Sequence, residues 1–316
     1  MAVSLARRLG AFVLTALVAS LVVFLLLSVV PGDPAQVALG VTATPEALAA
    51  QRAEMGLDRP LVAQYLSWVG GLLQGDFGVS AVTGEPIATE LFTRATVTTW
   101  LVLSAMVLAL AVAVPLGVLA AVRRRRADGV LLSAVSQLGI AVPAFLAGLL
   151  LITVFAVRLG WFPAGGWSRP GEGLPSLLWH LALPAVALGL VQGAVISRYV
   201  RSAVLDVMGE DFLRTARAKG LTPARALVRH GLRNAAIPVL TISGVQLGVM
   251  LVGAVVVERV FVLNGLGSML LEKVANRDMA AVQGVVMVLV GAVLLINLVV
   301  DLLYAVIDPR LREASA

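Results

Sequence analysis

Six long runs of apolar residues alternate with shorter polar segments along the chain. The runs cover about 9–30, 97–122, 130–157, 178–200, 237–257 and 281–307. An α-helix needs roughly 20 consecutive apolar residues to cross a bilayer, and the runs are of that length or longer. The pattern therefore predicts an all-α membrane protein with six transmembrane helices, formed as a single domain over residues 1–316.

Composition supports a membrane protein and argues against other classes. Hydrophobic residues make up 59% of the chain, charged residues 13%, and the mean hydropathy is +0.97. A soluble domain could not bury so much apolar surface. The net charge of +6 is confined to short segments beside apolar runs, which indicates membrane topology and no nucleic-acid partner. The chain has no cysteine, which excludes disulfides and thiolate metal sites.

The distribution of charge predicts which segments face the cytoplasm. The expected cytoplasmic cations are Arg7, Arg8, Arg123–Arg126, Arg198, Arg201, Arg310 and Arg312, with Asp308 beside the last two. Segment 31–96 is richer in acid than in base and is predicted to be external, whereas 206–236 is predicted to be cytoplasmic. Both termini are then cytoplasmic. The first run is too long for a signal peptide, and no small-x-small cleavage site follows it, so we expect it to be retained.

Several features within the runs predict how the helices bend and pack. Pro143 stands near the middle of the third run, where a proline frees a carbonyl and kinks the helix. Gly189-x-x-x-Gly193 and Gly244-x-x-x-Gly248 are spaced so that neighbouring helices can approach closely. In the external segment, the apolar and aromatic positions of 61–72 fall on one helical face, which predicts a helix near the outer surface. Packing and substrate guidance both remain open roles for it.

One polar, basic segment separates the fourth and fifth runs, and it reads DFLRTARAKGLTPARALVRHGLRNAAIP from Asp211 to Pro238. We predict two short helices joined by a corner. Gly220 supplies a left-handed stop, and Thr222 followed by Pro223 caps and restarts the chain. The predicted inner face of the second helix is Ala224, Leu227, Val228, Gly231, Leu232 and Ala235, and the predicted basic stripe is Arg225, Arg229 and Arg233.

This segment resembles the EAA loop of ABC-transporter permeases, whose pattern is Glu-Ala-Ala, three residues, Gly, nine residues, Ile-x-Leu-Pro. Ala216, Gly220 and Leu232 match, whereas Arg214 and Thr215 replace Glu-Ala, His230 replaces Ile and Arg233 replaces Pro. The wording RTARAKGL followed by HGLRNAAIPV is similar to the dipeptide, oligopeptide and nickel importer subfamily. PGDP at 31–34, GLDRPL at 56–61 and GDFG at 75–78 resemble the external region of the same permeases. The resemblance thus covers nearly the whole chain.

The resemblance implies a type I ABC importer permease fold and a coupling helix that docks on an ATP-binding subunit. The residues it assigns to coupling are Arg214, Thr215, Ala216, Arg217, Lys219, Gly220 and Leu221. Ala216 and Gly220 would give a close contact and a corner, the basic residues polar contacts, and Leu221 an apolar plug. Membrane topology and attraction to lipid headgroups are the alternative explanation for the basic residues.

The resemblance also implies a set of partners. These are a homologous second permease, two ATP-binding subunits, an extracytoplasmic substrate-binding protein, membrane lipid and a peptide substrate. The chain itself needs no cofactor in this arrangement, because ATP and magnesium belong to the partner subunits. We therefore expect a non-catalytic permease in the bacterial inner membrane that imports di- or oligopeptides. Nickel or another small solute is the alternative cargo of the same machinery.

Chemistry-bearing residues inside the runs are few. No nucleotide-binding or zinc-protease motif is present, and the two histidines are expected to be an interface residue (His180) and a packing residue (His230) rather than metal ligands. Polar residues inside spans are candidates for a translocation path, here Gln192, Gln246 and Asn297. Hydrogen bonding between helices is their other explanation. An ion-coupled carrier would need inverted repeats and buried ionisable groups, which the sequence does not show.

Overall fold

A computed structural model describes residues 2–29, 32–40, 42–169, 171 and 173–307. The predictions that involve Val30, Pro31, Asp308, Arg310 and Arg312 lie outside these residues. The helices are α1 (Ala2–Val29), α2 (Pro34–Leu39), α3 (Pro45–Glu54), α4 (Leu61–Leu73), α5 (Ile87–Val122), α6 (Ala127–Ala141), α7 (Ala144–Leu151), α8 (Leu174–Gly209), α9 (Asp211–Ala218), α10 (Pro223–Ala226), α11 (Leu232–Val260), α12 (Leu266–Ala275) and α13 (Met279–Ile307). Two π-helical turns are also present, Ile152–Arg158 after α7 and Leu227–Gly231 between α10 and α11.

Five continuous helical segments are long and apolar enough to cross a membrane. They are Ala6–Val29, Ile87–Val122, Leu174–Gly209, Pro223–Val260 and Met279–Leu303. A sixth span is counted if the bent pair Ala127–Ala141 and Ala144–Arg158 crosses as one. The all-α membrane architecture predicted from the sequence is therefore confirmed, with five or six spans among the described residues.

The third predicted span is broken rather than kinked. Its two halves meet at 97°, because Val142 and Pro143 both leave the helical region, with ψ angles of 119° and 141°. A proline disfavours the helical conformation of the residue before it and donates no hydrogen bond itself. Two consecutive extended residues interrupt the helix and turn the chain, whereas a kink at a single residue would have left one continuous, bent helix.

The helices extend beyond the apolar runs. α5 begins at Ile87, ten residues before the predicted start at 97, and α8 covers 36 residues where about 23 had been predicted. Segment 31–96 is consequently not one loop, because it holds α2, α3, α4 and the first turns of α5. Polar residues at the ends of a helix lower the local hydropathy, so an apolar run covers only the middle of such a helix.

The described chain divides into two compact units. The first, here the bundle unit, comprises Thr99–Leu263 with the chain from Ile296 onwards. Its helices approach closely at glycines: a Cβ on Gly189 would lie 2.7 Å from the carbonyl oxygen of Ala105, and one on Gly244 would overlap Val300. The predicted close packing at these two small residues is thus confirmed.

The second unit, here the N-terminal unit, comprises Ala2–Thr98 with Asn264–Leu295. Its core is formed by Ile87, Leu91, Leu266, Met269, Ala281 and Val285. The helix predicted at 61–72 is confirmed as α4, whose Tyr65 hydroxyl lies 2.9 Å from the Ser20 hydroxyl of α1. Rings of Tyr65 and Trp68 also pack on Phe24, with centroids 5.5 and 5.9 Å away. The aromatic face of α4 therefore has a packing role against α1.

Buried charged groups fasten the N-terminal unit. The Ser80 hydroxyl donates to the buried carboxylate of Asp278, which also accepts from the amide of Ala81 at 3.3 Å. Lys273, only 5% exposed, forms an ion pair with Glu90 at 2.9 Å. Burying a charge is costly unless a partner compensates it, so these pairs fix segments that are about 200 residues apart in sequence.

Candidate coupling site

The polar segment between α8 and α11 folds as a helical hairpin, here called the coupling hairpin (Asp211–Gly231). Its first helix, α9, ends at the predicted corner, where Gly220 has φ 92°. The amide of Leu221 donates to the carbonyl of Ala216 at 3.2 Å, and that of Gly220 to Arg217 at 3.0 Å. These two bonds form a Schellman motif, which needs a residue with positive φ at the glycine position.

The restart after the corner also follows the prediction. The side chain of Thr222 accepts a hydrogen bond from the amide of Arg225 at 3.4 Å, and Pro223 occupies the first helical position. A proline there gives up only an amide that would have had no intrahelical partner. After a single α-turn the chain enters the π-helical turn Leu227–Gly231 and then continues without interruption into α11. The second half of the hairpin is therefore continuous with a membrane-spanning helix.

The buried face of the hairpin differs from the prediction. Its buried residues are Leu213, Ala216, Ala226, Leu227 and Gly231. Ala224 and Val228, predicted to face inwards, are exposed, Val228 by 67%. A π-helical turn bonds i to i+5 and is wider than an α-turn, so residues on either side leave the 3.6-residue register on which the prediction rested. Gly231 packs where a Cβ would meet Leu227, Val207 and Leu213 within 2.7–3.4 Å.

Most residues assigned to coupling lie on the outer face of the hairpin. Arg214 is 72% exposed and forms a 3.2 Å ion pair with Asp211. Thr215 is exposed and donates its hydroxyl proton to the Asp211 carbonyl at 3.0 Å, while Arg217 donates from Nε to Leu213 at 3.3 Å. The further assigned residues are Lys219 and Gly220, which are exposed, and Leu221, which is half-buried. Ala216 alone is turned inwards, with 9% exposure.

A shallow groove lies beside this basic surface and was not anticipated. It has a volume of about 480 Å³ and is lined by Leu221, Ala224, Arg225, Val228 and Arg229. Its floor is apolar and its rim carries two guanidinium groups. The groove can therefore bind an apolar side chain that protrudes from the acidic surface of another protein. The sequence could not reveal the groove, because the prediction placed Ala224 and Val228 on the inner face.

The three candidate path residues lie on three helices of the bundle unit. Gln192 on α8 and Gln246 on α11 are buried, with 9% and 8% exposure, whereas Asn297 on α13 is exposed. The Oε1 atom of Gln192 is buried and accepts no hydrogen bond from the residues that the structure describes. A buried acceptor without a hydrogen bond destabilises the fold. Of the three candidates, Gln192 would therefore be stabilised most by a hydrogen bond from a cargo molecule.

The histidines do not form a metal site. Nδ1 of His180 lies 2.9 Å from the Ser176 carbonyl within the same helix. His230, predicted to pack, is instead exposed, because it falls on the outer side of the π-helical turn. Within the described ranges, no three His, Cys, Asp or Glu side chains are grouped closely enough to hold a metal ion.

The backbone is similar to a solved structure. It matches an inward-facing crystal structure of the MetNI methionine ABC transporter with a TM-score of 0.59, over 69% of this chain and 96% of that chain, at 18% identity. The chain therefore shares its fold with a chain of that ABC transporter.

The family follows from the sequence comparisons. The family model "Binding-protein-dependent transport system inner membrane component" matches residues 113–313, and the model for the N-terminal part of such components matches 1–89. The glutathione transport system permease proteins GsiC of Escherichia coli K12 and Salmonella paratyphi A are each 40% identical over 307 residues, covering 97% of both chains. The chain belongs to this family of binding-protein-dependent ABC importer permeases, within its dipeptide and oligopeptide branch, and is a multi-pass protein of the bacterial inner membrane.

Proposed function

We propose that this permease forms half of a path through which an ATP-driven importer moves di- or oligopeptides. A homologous second permease supplies the other half, and an extracytoplasmic binding protein delivers the cargo. The similarity to permeases named for glutathione, itself a small peptide, supports a peptide cargo. Amide side chains such as Gln192 and Gln246 can exchange hydrogen bonds with peptide groups, which supports their place along the path.

The coupling hairpin is the observation that carries the proposal. Its second half, Pro223–Gly231, is the beginning of the spanning helix Pro223–Val260, so a push on this half is transmitted along a continuous helix. Its exposed face carries cations and an apolar groove, which suit an acidic partner surface with one protruding apolar side chain. We infer that two ATP-binding subunits dock here, bind ATP and magnesium, and hydrolyse the nucleotide. This chain contributes no catalytic group.

The decisive experiment measures coupling in the assembled transporter. The chain is co-expressed with the products of neighbouring genes and reconstituted in lipid nanodiscs, and ATP hydrolysis is recorded with and without peptide-loaded binding protein. Peptide should stimulate hydrolysis several-fold. Val228→Asp should abolish both the stimulation and the retention of the ATP-binding subunits, because it places a charge in the apolar groove. Transport that persists without ATP would instead favour an ion-coupled carrier.

A matched control separates docking from general damage. Val62 is 70% exposed, close to the 67% of Val228, but belongs to α4 in the N-terminal unit. Val62→Asp should therefore leave the ATP-binding subunits attached. Equal loss of those subunits in both variants would refute docking at the groove.

A competition assay identifies the cargo. Uptake of a labelled dipeptide into proteoliposomes should be inhibited by unlabelled di- and oligopeptides and by glutathione at comparable concentrations. Nickel ions should not compete. Inhibition by nickel alone would support the alternative cargo and leave the coupling mechanism unaffected.

A further inference from the structure

A polar cavity is enclosed among α5, α6 and α8 of the bundle unit, at the end of α5 that precedes Arg123. It has a volume of about 40 Å³, and its polar lining consists of Ser133, Ser136, Gln137, Ser197, Arg198 and Arg201. Two cationic and four neutral hydrogen-bonding residues line it, and none of the described residues that line it is acidic. Arg198 is also exposed, with its Cζ 5.3 Å from the centroid of the Tyr199 ring. Arg198 and Arg201 are among the cations predicted to lie at the cytoplasmic end of the fourth span, so the cavity is expected to lie near the lipid headgroups. We call it the arginine cavity.

One guanidinium in this cavity has an unused donor. Nε of Arg201 is buried and has no hydrogen-bond partner among the residues that the structure describes. The two hydroxyls beside it, Ser136 and Ser197, lie 3.0 Å apart, and each is also within 3.0 Å of a carbonyl of its own helix. Neither compensates the arginine. A buried charged donor without an acceptor is strongly unfavourable, so the cavity lacks an acceptor, and an anionic one fits best.

The surroundings of the cavity also attract anions. The turn that joins α5 to α6 carries four consecutive arginines, of which Arg123 is paired with Asp128 at 2.8 Å. Arg124, Arg125 and Arg126 are exposed. Clusters of cations beside spanning helices attract anionic headgroups.

The outer face of α6 is apolar and exposed. Leu131, Val135 and Leu138 are 64%, 54% and 69% exposed. They point away from the side of α6 that contributes Ser133, Ser136 and Gln137 to the cavity. A ligand that satisfies both surfaces carries an anionic head and long apolar chains. A free inorganic anion would satisfy only the first.

We propose that the arginine cavity binds the phosphate of an anionic phospholipid whose acyl chains lie along the exposed face of α6. The cavity volume admits phosphate oxygens, and the rest of the headgroup stays outside beside Gln137, which is exposed. Arg201 donates from Nε, and the guanidinium of Arg198 supplies further donors. The bound lipid holds α6 against α5 and α8 and so stabilises this corner of the bundle.

The test measures lipid binding to the purified, delipidated full-length chain by native mass spectrometry. Phosphatidylglycerol and phosphatidylcholine with the same acyl chains are compared, and inorganic phosphate is a separate arm. The wild-type chain should prefer phosphatidylglycerol. Arg198→Gln/Arg201→Gln should weaken its binding about 30-fold, because each arginine near an anionic lipid contributes roughly fivefold. Arg124→Gln/Arg125→Gln removes the same charge outside the cavity and should weaken binding by a clearly smaller factor, because neither guanidinium lines the cavity.

Thermal unfolding supplies a second readout. Phosphatidylglycerol should raise the Tm of the wild-type chain but not that of the cavity variant. In phosphatidylcholine the cavity variant should be at least as stable as the wild type, because it no longer buries an unpaired guanidinium donor. Arg201→Lys, which keeps the charge but removes the guanidinium, should fall between them. Equal loss of binding in the two double variants, absence of a preference for phosphatidylglycerol, or the same stabilisation by inorganic phosphate would each overturn the proposal.

Discussion

Gly220 sets the direction in which the chain leaves α9. Its φ of 92° is reached without crowding, since a Cβ built there would have no heavy atom within 4 Å. The requirement is therefore one of backbone conformation and not of space. A left-handed conformation costs an ordinary L-residue roughly 1–2 kcal/mol, and asparagine tolerates it better than alanine does.

This distinction predicts the result of a pair of substitutions. Gly220→Ala should strain the corner and reduce peptide-stimulated ATP hydrolysis, with a loss of about 1–2 kcal/mol in the stability of the hairpin. Gly220→Asn should retain most of the stimulation although it is the larger change. Hydrolysis in nanodiscs and amide hydrogen exchange across the hairpin measure the two effects. If Gly220→Ala retains more peptide-stimulated ATP hydrolysis than Gly220→Asn, the size of the side chain and not the backbone conformation limits coupling at this position.

Asp33 serves two purposes at the start of α2. Its carboxylate accepts from the amide of Ala35 at 3.0 Å and forms an ion pair with Arg52 of α3 at 2.6 Å. The hydrogen bond from Arg52 is the main cause that lowers the pKa of Asp33 below its ordinary value of 3.8, and the same pair raises the pKa of Arg52. The pair therefore links α2 to α3.

The sign of this shift fixes a pH dependence. Because the pKa of Asp33 is lower in the folded chain, its stabilisation is complete above pH 3.8 and is lost as the pH falls through the lowered value. Asp33→Asn keeps the helix cap but not the ion pair, and should lower Tm by on the order of 1 °C at pH 7. The difference from wild type should vanish below the lowered pKa. Arg52→Gln should show the same pH dependence. A difference in Tm between Asp33→Asn and the wild type that persists in acid would show that the substitution disturbs the helix cap rather than the ion pair.

Local signals explain which residues were predictable. Gly220, Thr222 and Pro223 act on neighbours within five positions, so their roles could be predicted from the sequence alone. The hydrogen bond from Ser80 to Asp278 joins residues 198 positions apart, and no sequence motif around either residue predicts the contact. The same holds for Arg201, whose cavity forms only when three helices meet.

At the scale of helices, apolar runs predict position better than shape. The run at 130–157 gave the right location, but the break at Pro143 turns the chain by 97°. A proline in a membrane helix is compatible with a mild kink or a full break. Which of the two forms depends on whether the surrounding helices leave room for an extended backbone at Val142. The π-helical turn after α10 could not be predicted either, because it too depends on packing against other helices.

Glycines at helix crossings predict a graded series. A Cβ on Gly189 would lie 2.7 Å from the Ala105 carbonyl oxygen, and one on Gly193 would lie 3.3 Å from that of Ala109. Gly189→Ala should therefore destabilise the chain by about 1–3 kcal/mol, as overpacking does, and Gly193→Ala by less. Gly291 in α13 has nothing within 4 Å, so Gly291→Ala should be neutral or slightly stabilising.

The series is measured by unfolding in detergent with increasing denaturant. The order of stability, with Gly291→Ala first and Gly189→Ala last, tests the crossing geometry of α5 and α8. Equal effects of the three substitutions would mean that helix propensity, and not the approach of the two backbones, decides the outcome.

At the scale of the whole chain, composition alone identified a membrane protein, and motifs identified its family. The orientation in the membrane rests on charge. Cations flank the ends of spans that are predicted to be cytoplasmic, while acids dominate 31–96. This asymmetry governs how the chain inserts into the bilayer, and the orientation stays a prediction.

The absence of cysteine makes the orientation directly measurable. Single cysteines are introduced at Thr83, Lys219 and Arg125, which are exposed, and intact cells are treated with a membrane-impermeant maleimide. Thr83→Cys should be labelled from outside, because segment 31–96 is predicted to be external. Lys219→Cys and Arg125→Cys should be labelled only in inverted membrane vesicles. The wild-type chain, which offers no thiol, is the control for background. Labelling of Lys219→Cys in intact cells would place the coupling hairpin outside and would refute its contact with ATP-binding subunits.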